Sequence, residues 1–342
     1  MKNEIDYSQL INYPIANSIA LKFALEVTQT RPSVNIAYHY TDINGFLGLM
    51  NSREWWLSNV NFMNDRSEVS DGISVFRHEI VKCMKRELPK DQQYCLERVD
   101  NLLSYGKSDG SWAIDKSDIY AMCFCTEGDL LTQWKSYGDD GAGISIGFDL
   151  QKLFRSRLMP LNLYNEDIAK GISPDEMLPH DEALPMLQQA VYDVDIKIEI
   201  AAHIINSLLE DTKKLMKDEH YDVSLNMLCS EYTDVIYRYI SIFKNESFFS
   251  ELELRYVYSV FINSKKLAID FRQRKGYLLP FLKFKLLDVN CRPLFELPIS
   301  DIVVGPSAKQ ADLLNSIKYF LRESGNSTLE KTLRLSNIPY RG

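Results

Sequence analysis

The stretch at residues 249–260 has the sequence FSELELRYVYSV, in which charged and apolar residues alternate. Glu251, Glu253 and Arg255 stand at every second position, with leucines between them. A period of two is typical of a β-strand, because successive side chains point to opposite faces. The pattern therefore predicts a strand with its charges on one face and its leucines in a core. Alone, these charges fit either a solvated face with a local ion pair or a functional site.

Further strands and helices are predicted on both sides of this stretch. Segments rich in β-branched and aromatic residues predict strands at 34–41, 54–58, 118–126, 144–149, 189–193, 277–287 and 302–305. Helical periodicity predicts helices at 15–28, 69–88, 91–104, 195–217, 222–243 and 309–323, and Asp42 is placed to cap a short helix that ends near Met50. Strict strand-helix-strand alternation is missing, so we expect an α+β fold with a mixed or mainly antiparallel sheet.

The order of these segments predicts one domain over residues 1–342, with its core at about 33–308. The long helices near 195–244 form a helical insertion in this interpretation, and they offer a surface for a protein partner. An N-terminal helix within 1–30 and a C-terminal helix and tail at 309–342 flank the core.

Composition restricts the class of protein. The 342 residues include 47 Asp and Glu against 39 Lys and Arg, and the net charge of -8 argues against non-specific binding of nucleic acid by the whole surface. Six cysteines are too sparse for a disulfide framework, so we expect reduced thiols. The N-terminus lacks the pattern of a secretory signal, and no apolar run reaches the length of a membrane span. We therefore expect a cytoplasmic protein with no membrane partner.

Polar residues with binding chemistry follow two of the predicted strands. His39, Tyr40 and Thr41 end the first strand, where His39 and Thr41 can hydrogen-bond a substrate; a structural role in packing is the alternative. The loop at Asn64, Asp65 and Arg66 can bind a phosphate or carboxylate, but it can also cap the helix that follows.

Aromatic and basic side chains add further candidates. Trp134 and Tyr137 can form a wall against a flat ring, although buried packing is the commoner use of such residues. A basic segment can attract a phosphate-bearing substrate or simply be solvated, and it contains Lys265, Lys266, Arg272, Arg274 and Lys275. Cys123 and Cys125 lack a second pair of ligands, so we predict no structural metal.

Two carboxylates on one strand face permit more than one reaction. One acid can support an oxocarbenium-like centre while the other orients an acceptor, or both can bind a metal ion. The spacing of Glu251 and Glu253 does not decide between these uses.

Several spaced motifs resemble the bacterial family known as domain of unknown function 2971. They are Tyr38-His-Tyr-Thr41, Trp56-Leu-Ser-Asn59, Phe62-Met-Asn-Asp65 with Glu68, Cys123-Phe-Cys-Thr126, Gln133-Trp134, Tyr137-Gly138, Glu251-Leu-Glu-Leu-Arg255 and Ile302-Val-Val-Gly-Pro306. That family is distantly similar to the ADP-ribosyltransferase superfamily. The resemblance implies NAD as substrate, with contacts to NAD from His39 and Thr41, Glu253 as the catalytic acid, and Glu251 nearer the acceptor.

The leading hypothesis is an NAD-consuming ADP-ribosyltransferase or NAD glycohydrolase, as in a bacterial toxin or an anti-phage defence effector. Its acceptor, a nucleic acid or a protein, is not identified. Glu253, Glu251 and His39 are the candidate catalytic residues, and the candidate NAD-binding residues are His39, Tyr40, Thr41, Asn64, Asp65, Arg66, Trp134, Tyr137 and Arg255. Two alternatives stay open: a nuclease that binds magnesium through Asp65, Glu251 and Glu253, and a non-catalytic module that binds a nucleotide or a protein.

Overall fold

The computed structural model describes residues 34–63, 68–104, 118–153, 155–172, 186–215, 217, 220–260, 267–274, 276–288, 290 and 292–340. The predicted N-terminal helix, the loop residues Asn64, Asp65 and Arg66, and the basic residues Lys265, Lys266 and Lys275 lie outside this part of the chain.

One mixed sheet contains all of the described strands, which pair mostly in antiparallel fashion. They are β1 (Ile36–Thr41), β2 (Glu54–Asn59), β3 (Asp118–Cys125), β4 (Ile144–Asp149), β5 (Arg157–Pro160), β6 (Met186–Gln189), β7 (Glu253–Val260), β8 (Ile269–Arg274), β9 (Tyr277–Leu287), β10 (Ile299–Val304) and β11 (Leu333–Leu335). The main order is β11-β10-β4-β1-β3-β2-β9-β5; β7 pairs with β3 and β6, and β8 with β9. Because β10 and β11 are parallel, the sheet is mixed, and the predicted α+β class is confirmed.

The helices are α1 (Ile43–Ser52), α2 (Glu68–Met84), α3 (Lys90–Ser104), α4 (Leu131–Ser136), α5 (Leu150–Leu153), α6 (Leu161–Ala169), α7 (Val194–Lys214), α8 (Tyr221–Ile240) and α9 (Gln310–Glu323). Within the described residues, no helix is both long enough and apolar enough to cross a membrane.

The chain divides into two compact units. A helical unit comprises residues 1–30, 65–118 and 191–244, and a sheet unit comprises 31–64, 119–190 and 245–342. The helical unit therefore joins the helices near 195–244 to a second segment of the chain, which contains α2 and α3. Its described helices pack through apolar side chains; the rings of Phe76 and Phe243, for example, stack with centroids 5.8 Å apart.

Each face of the sheet carries its own apolar cluster. The large-core face holds an extensive cluster that includes Trp55, Phe124, Phe148 and Tyr256 together with residues of α1 and α9. The small-core face holds a cluster built on Tyr40, Cys125, Trp134 and Val303. Side chains alternate along a strand, so the odd-numbered and even-numbered residues of one strand lie on opposite faces of the sheet. We call this property the parity of a residue.

Local signals in the sequence explain several of these elements. Asp42 caps α1, and its Oδ1 accepts a hydrogen bond of 2.7 Å from the backbone N–H of Gly45, as predicted. The glycine-rich segment at 138–143, which is typical of a turn, forms one before β4, in which the N–H of Gly143 donates to the carbonyl of Gly138 at 2.9 Å.

The predicted strand at 249–260 is wrong at its start, because β7 begins only at Glu253. Residues Glu246–Glu251 form a 3₁₀ turn that is capped by the side chain of Asn245, and Leu252 is left-handed with a φ of 47°. Glu251 therefore precedes the strand and does not share a strand face with Glu253. A capped turn satisfies backbone donors locally, and this contribution outweighed the alternating pattern.

Four strands were not predicted at their observed positions. Strands β5 and β8 lie where no strand was predicted, β11 lies in the predicted C-terminal tail, and β6 precedes the predicted 189–193 strand. The six residues of β8 were identified only as part of a basic segment. Segments of three or four residues are too short to display a period of two.

Substituting Gly143 tests how tightly the turn before β4 is packed. A Cβ at this position would lie 2.3 Å from the backbone oxygen of Thr41, which cannot move without disturbing β1. We expect Gly143→Ala to lower the free energy of unfolding by about 1–3 kcal/mol. Gly48→Ala is the control, since a Cβ there meets nothing within 4 Å; it should be neutral or stabilising by up to about 1 kcal/mol. Urea unfolding measures both, and an equal effect of the two substitutions would contradict the packing.

Candidate functional site

Glu253 and Arg255 form a buried ion pair at the start of β7. The Nε of Arg255 donates to Oε1 of Glu253 at 2.9 Å, and a terminal nitrogen donates to Oε2 at 3.1 Å. Only 4% of Glu253 and 1% of Arg255 is exposed. Bidentate contact with a guanidinium engages both carboxylate oxygens, so the charge of Glu253 is compensated inside the protein.

Glu251 lies beside this pair but has different partners. The hydroxyl of Tyr137 donates to Oε1 of Glu251 at 3.3 Å, and the side-chain amide of Gln133 donates to its backbone carbonyl at 3.0 Å. Gln133 and Tyr137 come from α4 and the residue that follows it. A neutral phenol thus contacts the carboxylate of Glu251, whereas a cation contacts that of Glu253.

The carboxylates of Glu251 and Glu253 both approach Cys125. Burial raises the pKa of the Cys125 thiol to about 12, and the negative charges of Glu253 and Glu251 contribute to the rise. Cys125 belongs to the small-core cluster. Both carboxylates therefore converge on the small-core side of β3, although only Glu253 is a strand residue.

His39 is held at the edge of the large core. Its Nδ1 lies 2.9 Å from the backbone carbonyl of Cys123, and its ring contacts Phe124 with centroids 5.8 Å apart. Because a carbonyl only accepts, Nδ1 carries the proton and Nε2 is an acceptor. Burial lowers the pKa of His39 to about 4, so the imidazole is neutral at pH 7.

The structure does not bring His39 and Glu253 to the same side of the sheet. Tyr38 and Tyr40 belong to the small-core cluster, so His39 between them has the opposite parity and contacts Phe124 of the large core. Glu253 instead acts on Cys125, on the small-core side. Thr41 shares the parity of His39 and packs against Gly45. The early-strand and late-strand residues are thus separated by the thickness of the sheet.

Tyr40 and Trp134 are packed side chains. Trp134 is fully buried, its Nε1 donates to Asp129 at 2.8 Å, and its ring meets that of Tyr40 edge to face with centroids 4.7 Å apart. The hydroxyl of Tyr40 donates to the carbonyl of Glu127 at 2.8 Å and accepts from the N–H of Leu130 at 2.9 Å. These contacts favour the packing interpretation, whereas Tyr137 of the predicted aromatic wall contacts the carboxylate of Glu251.

Two contributors to polar sites emerge only from the structure. Gln133 was part of a motif, and its spacing of four residues from Tyr137 could have indicated a shared helical face. Arg272 appeared in the sequence only as one of several basic residues, but it lies against Ser58, with its Nη2 2.8 Å from the hydroxyl. Ser58, the partner of Arg272, is 214 positions away in the sequence, so no local pattern indicated this contact.

Among the described residues, no three or more His, Cys, Asp or Glu side chains are grouped so that they could hold a metal ion. Arg255 already occupies both oxygens of Glu253. Asp65, the third member of the predicted magnesium site, lies outside the described residues.

A family comparison supports the motif analysis over part of the chain. Residues 133–256 match the model of the family described as a protein of unknown function, DUF2971, which confirms the family resemblance over this segment. A comparison with curated proteins gave no significant match, and neither did a comparison with solved structures. The matched segment begins at Gln133 and includes Tyr137 and Glu251–Arg255, so it contains both sides of the contacts around Glu251.

Removing the charge of Glu253 should destabilise the sheet unit strongly. Glu253→Gln removes the negative charge that lies 2.9 Å from the buried guanidinium of Arg255, and we expect a loss of about 3–5 kcal/mol in the free energy of unfolding. Replacing both residues with methionine should recover most of this loss, because no buried charge then remains. Urea unfolding of the single and double variants checks the prediction, and a Glu253→Gln loss below about 1 kcal/mol would refute the buried pair.

The half-buried, neutral His39 should make stability depend on pH in the acid range. Its pKa of about 4 lies below the usual 6.5, so the unfolded chain binds the proton more tightly. Above pH 6.5 His39 costs the folded state no stability. As the pH falls from 6.5 to 4, its protonation in the unfolded chain lowers the free energy of unfolding, and this loss reaches roughly 3 kcal/mol. In His39→Asn, which keeps a donor but does not titrate, the loss of unfolding free energy between pH 7 and pH 4 should be smaller. Equal losses of unfolding free energy between pH 7 and pH 4 in the wild type and His39→Asn would contradict this assignment.

Proposed function

We propose that the protein is an NAD-consuming enzyme, an ADP-ribosyltransferase or NAD glycohydrolase of the ADP-ribosyltransferase-like type, and that its chemistry takes place around Glu251. One observation supports this site above others. Gln133 and Tyr137 near one end of the family-matched segment hydrogen-bond Glu251 near the other end. Polar side chains that converge on an acid are the geometry from which a candidate active site is inferred.

Glu251, not Glu253, is the acid that we assign to the reaction. When the bond between nicotinamide and ribose breaks, positive charge develops on the ribose, and a carboxylate near the 2′-hydroxyl stabilises it. The carboxylate of Glu253 is neutralised by Arg255 at 2.9 Å and is less able to do so. The carboxylate of Glu251 accepts a hydrogen bond from the hydroxyl of Tyr137. Glu253 and Arg255 are positioning residues in this proposal, because they anchor the start of β7.

His39 has a supporting role in the same proposal. Its hydrogen bond to the carbonyl of Cys123 ties β1 to β3, the strand beside which β7 begins. A neutral ring on the other face of the sheet positions these strands and does not contact the ribose. Consumption of NAD in this way would suit a toxin or a defence effector, because it depletes a cofactor that the cell requires.

A non-catalytic nucleotide-binding module is the second candidate. The Glu253–Arg255 pair is buried, and buried pairs of opposite charge are common at structural positions. A structural role for this pair would leave fewer groups for catalysis, which favours the second candidate. The two candidates differ in one measurable property, which is the release of nicotinamide.

The test measures nicotinamide released from NAD by the purified full chain, with and without a cell extract that supplies acceptors. We expect release by the wild type and a decrease of roughly 100-fold in Glu251→Gln, as for the loss of one preorganised electrostatic group. Tyr137→Phe should lower the rate less, since it removes only one hydrogen bond to the acid. The matched control is Glu246→Gln, an exposed acid of the same 3₁₀ turn, which should leave the rate unchanged.

Two results would refute the enzyme. One is the absence of nicotinamide release under both conditions by a wild-type protein with cooperative unfolding. The other is equal release by the wild type and Glu251→Gln. Release that requires the extract would identify a transferase, and release without it a glycohydrolase.

A further inference from the structure

Arg272 is a cation without a carboxylate partner among the described residues. One of its nitrogens donates to the hydroxyl of Ser58 at 2.8 Å. Its guanidinium carbon lies 6.0 Å from the centroid of Trp56 and 5.7 Å from that of Phe281. A guanidinium has five N–H donors, so a single neutral acceptor leaves most of them available.

Partial burial of the Arg272 guanidinium is energetically unfavourable unless an anion lies next to it. Arg272 is half-buried, Ser58 is 5% exposed, and Phe281 is 3% exposed. Burial lowers the pKa of Arg272, and the like charge of Arg274 lowers it further, while the negative charge of Asp42 acts in the opposite direction. A partly desolvated cation normally has a counter-charge in direct contact.

Three other cations of the sheet unit have that counter-charge. Arg255 is paired with Glu253 at 2.9 Å, and Arg334 is paired with Asp301 at 2.9 Å. Lys283 lies over the same two rings as Arg272 but is paired with Asp270 at 2.9 Å. The contrast between Arg272 and Lys283 is informative, because both contact the Trp56–Phe281 stack and only Lys283 has a carboxylate.

We propose that Arg272 and Ser58, on the Trp56–Phe281 stack, bind a phosphate group of a small phosphorylated ligand of the nucleotide class. A guanidinium offers paired donors that match two phosphate oxygens, and a hydroxyl adds a third contact. Arg272 and Arg274 stand two residues apart on β8, so their side chains share one strand face and add positive potential there. The net charge of -8 disfavours a long nucleic acid as the occupant and leaves a compact phosphate.

This site is independent of the proposed reaction at Glu251, because binding is measured without turnover. Isothermal titration of the purified full chain uses sodium pyrophosphate, ADP and adenosine as probes. We expect pyrophosphate and ADP to bind and uncharged adenosine to bind far more weakly. Affinity should also fall as sodium chloride is raised, since charge drives the contact.

Matched substitutions identify the cation that binds. Arg272→Gln should weaken pyrophosphate binding at least tenfold, whereas Arg334→Gln, which removes a cation paired with Asp301 at the far end of the strand order, should change it less than twofold. Arg272→Gln should unfold at the wild-type temperature or above, because it removes an uncompensated charge, so a loss of binding cannot be ascribed to misfolding.

Three outcomes would overturn the site: no pyrophosphate binding by the wild type, equal losses in the two variants, or binding of a single-stranded oligonucleotide but not of pyrophosphate. Pyrophosphate binding in a protein that releases no nicotinamide would support this site while refuting the reaction at Glu251.

Discussion

Side-chain alternation across three neighbouring strands is the constraint on which the rest of the sheet unit depends. Strand β3 pairs with both β1 and β7, so the residues of all three strands are assigned to one of two faces. Tyr38 is paired with Cys125, which commits Tyr40 to the small core and His39 to the large core. A shift of one residue in register would exchange every side chain between the faces, and the apolar clusters on both sides prevent it.

Three ionisable side chains of this sheet, those of Glu253, His39 and Arg272, differ in the contacts that accompany their burial. Glu253 is paired with Arg255, whereas His39 is neutral because burial lowers its pKa to about 4. Arg272 keeps a charge that a serine hydroxyl and two aromatic faces only partly accommodate. The same low-dielectric environment thus yields a structural pair, a neutral imidazole and a cation suited to an external anion.

Secondary structure followed the sequence where its signals were long or chemically specific. Strands β1, β4 and β9, the cap at Asp42 and the turn before Gly143 were all predictable, because periodicity and capping act over a few neighbouring residues. The candidate site was predictable only in part. Glu251, Glu253, Tyr137 and Arg255 were recognised as polar residues of interest, but their partners were not, since Tyr137 and Glu251 are separated by 114 positions.

The sequence by itself determined the α+β class, the family motifs and the residue types available for chemistry, because local propensity and alternation are properties of short segments. Tertiary structure decided which of those residues meet. It moved Glu251 out of the strand into a capped turn, paired Glu253 with Arg255, and put His39 on the face opposite to Glu253. It also placed Arg272 against the hydroxyl of Ser58 and the Trp56–Phe281 stack. Strand register and the course of the chain between distant segments set these contacts, and neither is encoded in the neighbourhood of a single residue.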